Sequence, residues 1–381
     1  MSLKRSAWIT GLLVVALTAA FATPALGSAK VAGHSTATKT LIVAGIHVGS
    51  PKDAGYNEAE HDGLVYLKNN FKYQYKKTNW KIKLLEESNV AEGPTVQTAM
   101  QTMITQGAKL IFPMDFGYMQ DAQTMATQNP GVYFEFPAGY PPQPKNFGDY
   151  WADSTPINYA LGAAAAKVDK TGKLGFIGSI PIPTIIASAD AFHLGAQSVK
   201  KNIKTYVVFT GSWSDPGAEA TAVKTMHSEG VDVVAGLVDS PTTYVKTAES
   251  LGMWSIGYHS KMGKKYAPKH WLSGVDFEWG PMFVAMAKHI INGTWKSEDW
   301  IAPVKLHIAV LAPFGPKVPA SAKAAAQSVV KRFVTGKQTS SFKGPVYSQN
   351  GTLEVKPGNQ PDSSFEQSIN WLCKGMIGST S

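Results

Sequence analysis

Short apolar runs recur along this chain, separated by stretches in which apolar side chains return every three or four positions. Leu41-Ile42-Val43-Ala44-Gly45-Ile46 is the clearest run and reads as a buried strand. Beyond it Ala59, Leu64 and Leu67 fall on one face of a helix that begins near Asn57. The same alternation predicts strands over 41–46, 81–85, 109–113, 132–136, 173–178, 205–210, 231–238 and 253–258. Helices are expected near 57–70, 94–106, 118–128, 156–168, 184–199, 216–229, 241–251 and 280–292. Strand and helix in turn mean an α/β protein with parallel sheets and crossover helices. Between Pro137 and Trp151 a cluster of prolines and glycines breaks the rhythm, as a passage between two units of similar build would. After Trp295 the pattern weakens to one helix near 320–335 and two strands around Gln349-Asn350-Gly351, a hairpin signal.

A length of 381 residues suits two domains. Residues 39–152 are expected to form a first lobe, completed by a segment near 279–312, and residues 153–278 a second, completed by parts of 313–381. Upstream, Lys4 and Arg5 precede an uncharged stretch from Ser6 to Gly27 that ends in the small-residue pattern Ala25-Leu26-Gly27. That is the build of a secretory signal peptide, 1–27, with 28–38 as a linker, and it predicts an exported protein. A single cysteine, Cys373, excludes an intramolecular disulfide, so a buried core must supply the stability. The formal net charge of +9 comes from lysines spread along the chain without a run of five or more like charges. This is a solvated basic surface, and no nucleic-acid partner is expected.

In an open α/β sheet the ligand crevice lies beyond the carboxyl ends of the strands. Searching those ends yields Asp53, Tyr56 and Asn57 after the first strand, then Asp115, Phe116 and Tyr118 after the strand at 109–113. The second lobe adds Trp213 and Asp215, then Asp239, then Tyr258 and His259, while Trp279 stands where Val275-Asp276-Phe277 meets the next helix. Asp215 followed by Pro216 also reads as a helix N-cap. Aromatic rings, carboxylates and one amide are what a flat, polar molecule requires: a face to stack on, and donors and acceptors at its rim. No dinucleotide, phosphate-loop, nucleophile-elbow or zinc-protease signature occurs, and the nine histidines show no metal-ligand spacing. No catalytic residue, cofactor or metal is therefore expected.

Several stretches together resemble the basic membrane protein family of substrate-binding proteins for ABC importers, whose members include purine nucleoside binders. They are Gly55-Tyr56-Asn57, Ala191-Phe192-His193-Leu194-Gly195-Ala196, Gly211-Ser212-Trp213-Ser214-Asp215-Pro216, Asp239-Ser240-Pro241, Ser255-Ile256-Gly257-Tyr258, Trp279-Gly280-Pro281, and Phe342-Lys343-Gly344-Pro345-Val346 with Asn350-Gly351. The resemblance implies a type I periplasmic-binding-protein fold, two doubly wound Rossmann-like lobes with a hinged cleft, and a membrane permease as partner. It also implies that Tyr56, Asn57 and Trp213 grip a purine. The family's acidic residues near the ribose are replaced in Gly257-Tyr258-His259-Ser260-Lys261, which favours a free base over a nucleoside. The expected site has Tyr56 and Trp213 stacking, Phe116 or Trp279 closing an edge, and Asn57 and Asp239 hydrogen-bonding, with Asp53, Tyr118 and Tyr258 nearby. The alternatives are an extracytoplasmic nucleoside-processing enzyme and a ligand-sensing module.

Overall fold

The computed structural model describes residues 37–137 and 144–380; the signal peptide and nearly all of the linker read from the sequence lie outside them. Two seven-stranded sheets carry the fold. The first takes β1 (Thr38–His47), β2 (Tyr73–Tyr75), β3 (Thr78–Glu87), β4 (Leu110–Met114), β5 (Tyr133–Pro137) and β6 (Phe147–Ala152). The second takes β7 (Lys173–Gly178), β8 (Lys204–Phe209), β9 (Val233–Leu237), β10 (Trp254–Gly257) and β11 (Trp271–Phe277). The chain then returns β12 (Asp299–Ala302) to the first sheet and gives β13 (Ala309–Leu311) to the second. After the antiparallel pair β14 (Val346–Tyr347) and β15 (Leu353–Val355), β16 (Met376–Ile377) completes the second sheet. The strand orders are β12-β6-β5-β4-β1-β3-β2 and β13-β11-β10-β9-β7-β8-β16. Both sheets are parallel except at one edge, where β2 runs against β3 and β13 against β11. The chain thus passes between the sheets three times, after β6, β11 and β12.

Crossover helices cover the sheets: α1 (Tyr56–Asn70), α2 (Pro94–Thr105), α3 (Met119–Gln128), α4 (Thr155–Val168), α5 (Pro183–Gln197), α6 (Pro216–Ser228), α7 (Thr242–Ser250), α8 (Gly280–Asn292) and α9 (Ala320–Val334), with the single turn α10 (Ser363–Glu366) near the end. Strands covered on both faces read as unbroken apolar runs, and every residue of β4 and β9 is buried. The two helices α4 and α5 meet backbone to backbone, since a Cβ built on Gly162 would lie 1.8 Å from the Phe192 carbonyl oxygen and one on Gly195 1.9 Å from that of Tyr159. Among the described residues no helix is long and apolar enough to cross a membrane.

The stretch expected to be a plain passage, Pro137 to Trp151, ends in a strand. Phe147, Gly148, Asp149 and Tyr150 are buried in β6, between β5 and β12. Its prolines cluster upstream, while Gly148 and Asp149 in mid-strand hide the apolar pattern. Of the other strands absent from the expected set, β2, β12, β13 and β16 are edge pieces of two to four residues, too short to display a period, while the seven buried residues of β11 include Ser273, Gly274 and Asp276, which break its apolar run.

Candidate functional site

A cavity of about 970 Å³, part of it open to solvent, lies between the carboxyl ends of the two sheets. The first sheet's loops bring Tyr56 at the start of α1, Asp115 and Phe116 after β4, and Trp151 and Asp153 at the end of β6. The second sheet's loops bring Trp213 after β8, Asp239 after β9, and Tyr258 and His259 after β10. Glu366 reaches the same wall from α10. Rings from the two sides meet: Phe116 and Trp213 have centroids 5.6 Å apart at 52°, and Tyr56 packs edge-on to His259 at 5.2 Å.

One rim of the cavity is tied shut. The Tyr56 backbone N–H donates to the Asp239 carbonyl at 2.7 Å, and the Ser240 hydroxyl donates to the Asp53 carbonyl at 2.6 Å. Gly55 makes the approach feasible, because a Cβ there would sit 1.8 Å from the Asp239 oxygen. Two residues without a glycine's freedom, Ala54 (φ 61°) and His259 (φ 71°), hold left-handed backbone on opposite sides of this rim. Such conformations cost on the order of 1–3 kcal/mol each and collect at ligand sites.

The polar wall is unusual in its charge state. Burial, then the charge of Glu92, pushes Asp115 up to about 7. Burial, reinforced by Asp115, Asp53 and Glu219, lifts Asp239 well above the ordinary carboxylate range. Asp153 is raised by burial and Glu366 by burial and the neighbouring Asp153. Thr155 Oγ1 lies 2.9 Å from Asp153 Oδ1 and 2.7 Å from Glu366 Oε1, and a hydroxyl has one proton to give, so a carboxyl proton completes the second bond. His259 is pushed down to about 3 by burial and is a neutral ring. Tyr258, pushed up to about 12 by burial, stays a phenol 2.6 Å from the Ser154 hydroxyl. No lysine or arginine is among the described residues that line the cavity. Neutral carboxyls offer both a donor and an acceptor, and a wall of this kind recognises a neutral or weakly basic guest better than an anion.

Of the residues expected at the site, Tyr56, Phe116, Trp213, Asp239 and Tyr258 line this cavity, and the other four lie elsewhere. Asp53 accepts from the backbone N–H groups of Gly55, Asn57 and Glu58, and so pins the first turn of α1 from two residues ahead of its N-cap, Gly55. Asn57 spends its amide on Asp53 and on the Gly49 N–H, and both side chains fix the loop's shape. Tyr118 is buried with its hydroxyl donating to the Val90 carbonyl. Trp279 stacks on Phe277 at 4.8 Å and 7°, and stands behind Trp151 at 5.8 Å as support for the wall. Asp215 is the N-cap of α6, accepting from the Ala218 N–H at 2.9 Å.

Trp151, Asp153 and Glu366 had no place in the expected site. The first two stand at the end of β6, a strand that the Pro-rich segment conceals, so no strand end in the sequence pattern points to them. Glu366 comes from a four-residue helix with no sequence signature of its own.

A family model described as ABC transporter substrate-binding protein PnrA-like matches residues 41–323. A purine-binding protein of Brucella abortus is 33% identical over 344 residues, which cover 90% of this chain and 95% of that protein. The ABC transporter nucleoside-binding protein BmpA of Lactococcus lactis is 29% identical over 252 residues, 64% of this chain and 66% of the relative. Among solved structures, an ABC transporter solute-binding protein from Conexibacter woesei superposes with a TM-score of 0.64 at 17% identity, covering 78% of this chain and 97% of that one. Another from Aeropyrum pernix K1 gives 0.63 at 14% identity, with 86% and 96% covered. At these identities the structural likeness carries the fold, that of type I periplasmic binding proteins.

Proposed function

The chain belongs to the PnrA-like family of ABC transporter substrate-binding proteins, and on that premise we propose that it binds a purine base outside the cytoplasm and hands it to a membrane permease. The observation that carries this reading is the pairing of aromatic rings from both halves with neutral carboxyls around one cavity. A purine base has two flat faces for Tyr56, Phe116 and Trp213, and a rim of ring nitrogens and N–H groups for Asp115 and Asp239. A carboxyl that keeps its proton can donate to a ring nitrogen and accept from an N–H at once. The Brucella and Lactococcus relatives, named for purine and nucleoside binding, support the ligand class. The stretch Gly257-Tyr258-His259-Ser260-Lys261, poor in acids beside the cavity, favours the base over the nucleoside. The signal-peptide pattern over residues 1–27 supports export.

Isothermal titration with adenine, guanine, hypoxanthine and their nucleosides tests the proposal. Heat is expected with at least one base, and Trp213→Ala should weaken that binding by about 1–3 kcal/mol, the cost of one lost stacking face. Absence of heat with every one of them discards the purine assignment. The carboxyls of Asp153 and Glu366 also keep a nucleoside-cleaving enzyme in view, so the protein should be incubated with nucleosides and assayed for released base. None is expected; we read the chain as a binder and not an enzyme.

A further inference from the structure

Away from the cavity, three side chains that sequence spacing does not connect come together. His47 is the last residue of β1, His61 lies in the second turn of α1, and Glu86 is near the end of β3, which runs parallel to β1. His47 Nε2 is 3.1 Å and His61 Nδ1 2.8 Å from the same Glu86 Oε1, and the three atoms all lie within 4.8 Å of one another. We propose that this cluster is a binding site for a divalent transition-metal ion of the zinc class.

The geometry comes close to what such an ion demands. Zinc holds imidazole nitrogen and carboxylate oxygen at about 2.0–2.2 Å, which places neighbouring ligand atoms of a tetrahedral site about 3.4 Å apart. The two nitrogen–oxygen spacings of 3.1 and 2.8 Å are near that value, and the two nitrogens, within 4.8 Å of each other, reach it by rotation of the imidazole side chains. Two imidazoles and one carboxylate form a donor set that suits zinc, cobalt and nickel, whereas magnesium and calcium prefer all-oxygen shells. The ligands stand on two adjacent strands and the helix packed over them, so their positions are held before any ion arrives. The His47 side chain is fully buried, while His61 and Glu86 are 33% and 22% exposed. An ion could therefore enter from the solvent side and keep water in its remaining position. None of the three lines the cavity, so the site is independent of the purine reading. It would tie the ends of β1 and β3 to α1, the helix whose first residue is Tyr56, and bound metal should raise the unfolding temperature by mass action.

The test uses the untagged full chain, freed of metal with a chelator and titrated with Zn²⁺ by calorimetry and with Co²⁺ by visible absorption. One equivalent should bind, with d–d bands of a four- or five-coordinate nitrogen and oxygen site. His61→Ala and Glu86→Gln should each lower affinity at least about 100-fold, more than loss of an outer partner costs, with metal-free melting unchanged. His227→Ala, on a distant exposed helix face, should bind as the parent does. No binding by the parent, or equal binding by the parent and the two ligand variants, overturns the proposal.

Discussion

Glu60 lies wholly buried in the second turn of α1, and only one of its carboxyl oxygens has a donor, the Tyr150 hydroxyl at 2.8 Å. Burial pushes this carboxyl up to about 8, against 4.5 for an exposed glutamate. The folded form therefore keeps the proton across a range where the unfolded chain releases it. The contribution of this side chain to stability is whole below about pH 4.5 and is lost progressively as pH rises to about 8, at about 1.4 kcal/mol per pH unit. Glu60→Gln removes the proton linkage and keeps the shape. Its stability should match the parent's near pH 4.5 and exceed it by a few kcal/mol at pH 8, read from urea unfolding midpoints at both pH values. Parallel curves for the two proteins would show that the buried carboxyl ionises freely. At this scale the sequence disclosed which residues stand at strand ends, since that follows from the strand pattern. It could not disclose how each is spent: Asp53 and Asn57 look like ligand contacts in a list, yet backbone donors of their own loop consume them.

Elements were legible in proportion to their length, except β11, whose Ser273, Gly274 and Asp276 interrupt the apolar run. Helices such as α1 and α8 show their period and the long strand β1 its unbroken apolar run, and the Asp215-Pro216 cap announces the start of α6. Edge strands of two to four residues carry no period, and β6 was hidden by the prolines before it, which is why Trp151 and Asp153 escaped the site search. What no pattern reveals is how closely two helices approach. The run Ala160-Leu161-Gly162-Ala163-Ala164-Ala165-Ala166 reads simply as a good helix, whereas the structure uses Gly162 and, on the partner helix, Gly195 to bring two backbones into contact. A methyl at Gly195 would meet the Tyr159 carbonyl at 1.9 Å, and backbone atoms cannot turn aside as a side chain can. Gly195→Ala should push α4 and α5 apart and cost about 1–3 kcal/mol, the usual range for overpacking. A urea midpoint lowered without loss of the helical circular-dichroism signal is the expected result, and an unchanged or raised midpoint would mean that helix propensity outweighs the clash.

Across the whole molecule, the two sheets face one another over the cavity, and a short seam of backbone contacts joins them along one rim. Tyr56 N–H to Asp239 carbonyl and Ser240 hydroxyl to Asp53 carbonyl exist only while the two loops are in register. Gly55 sits where those loops touch, with φ −142° and ψ −128°, outside the extended region that an L side chain favours. Alanine at this position therefore meets two obstacles, an unfavoured backbone conformation and a clash of its methyl with the Asp239 carbonyl oxygen of the other half, 1.8 Å away. The seam lies beside Tyr56, so a guest held against that ring depends on the same closure. Gly55→Ala should lower the melting temperature, enlarge the radius of gyration measured by small-angle X-ray scattering, and weaken binding of the tightest purine about tenfold or more, equivalent to about 1.4 kcal/mol. The scattering measurement needs no ligand, so it judges closure even if the cavity prefers another guest. A variant as compact as the parent would show that the loops part and re-pack around a methyl without opening the halves, and the seam would then have no part in holding them together.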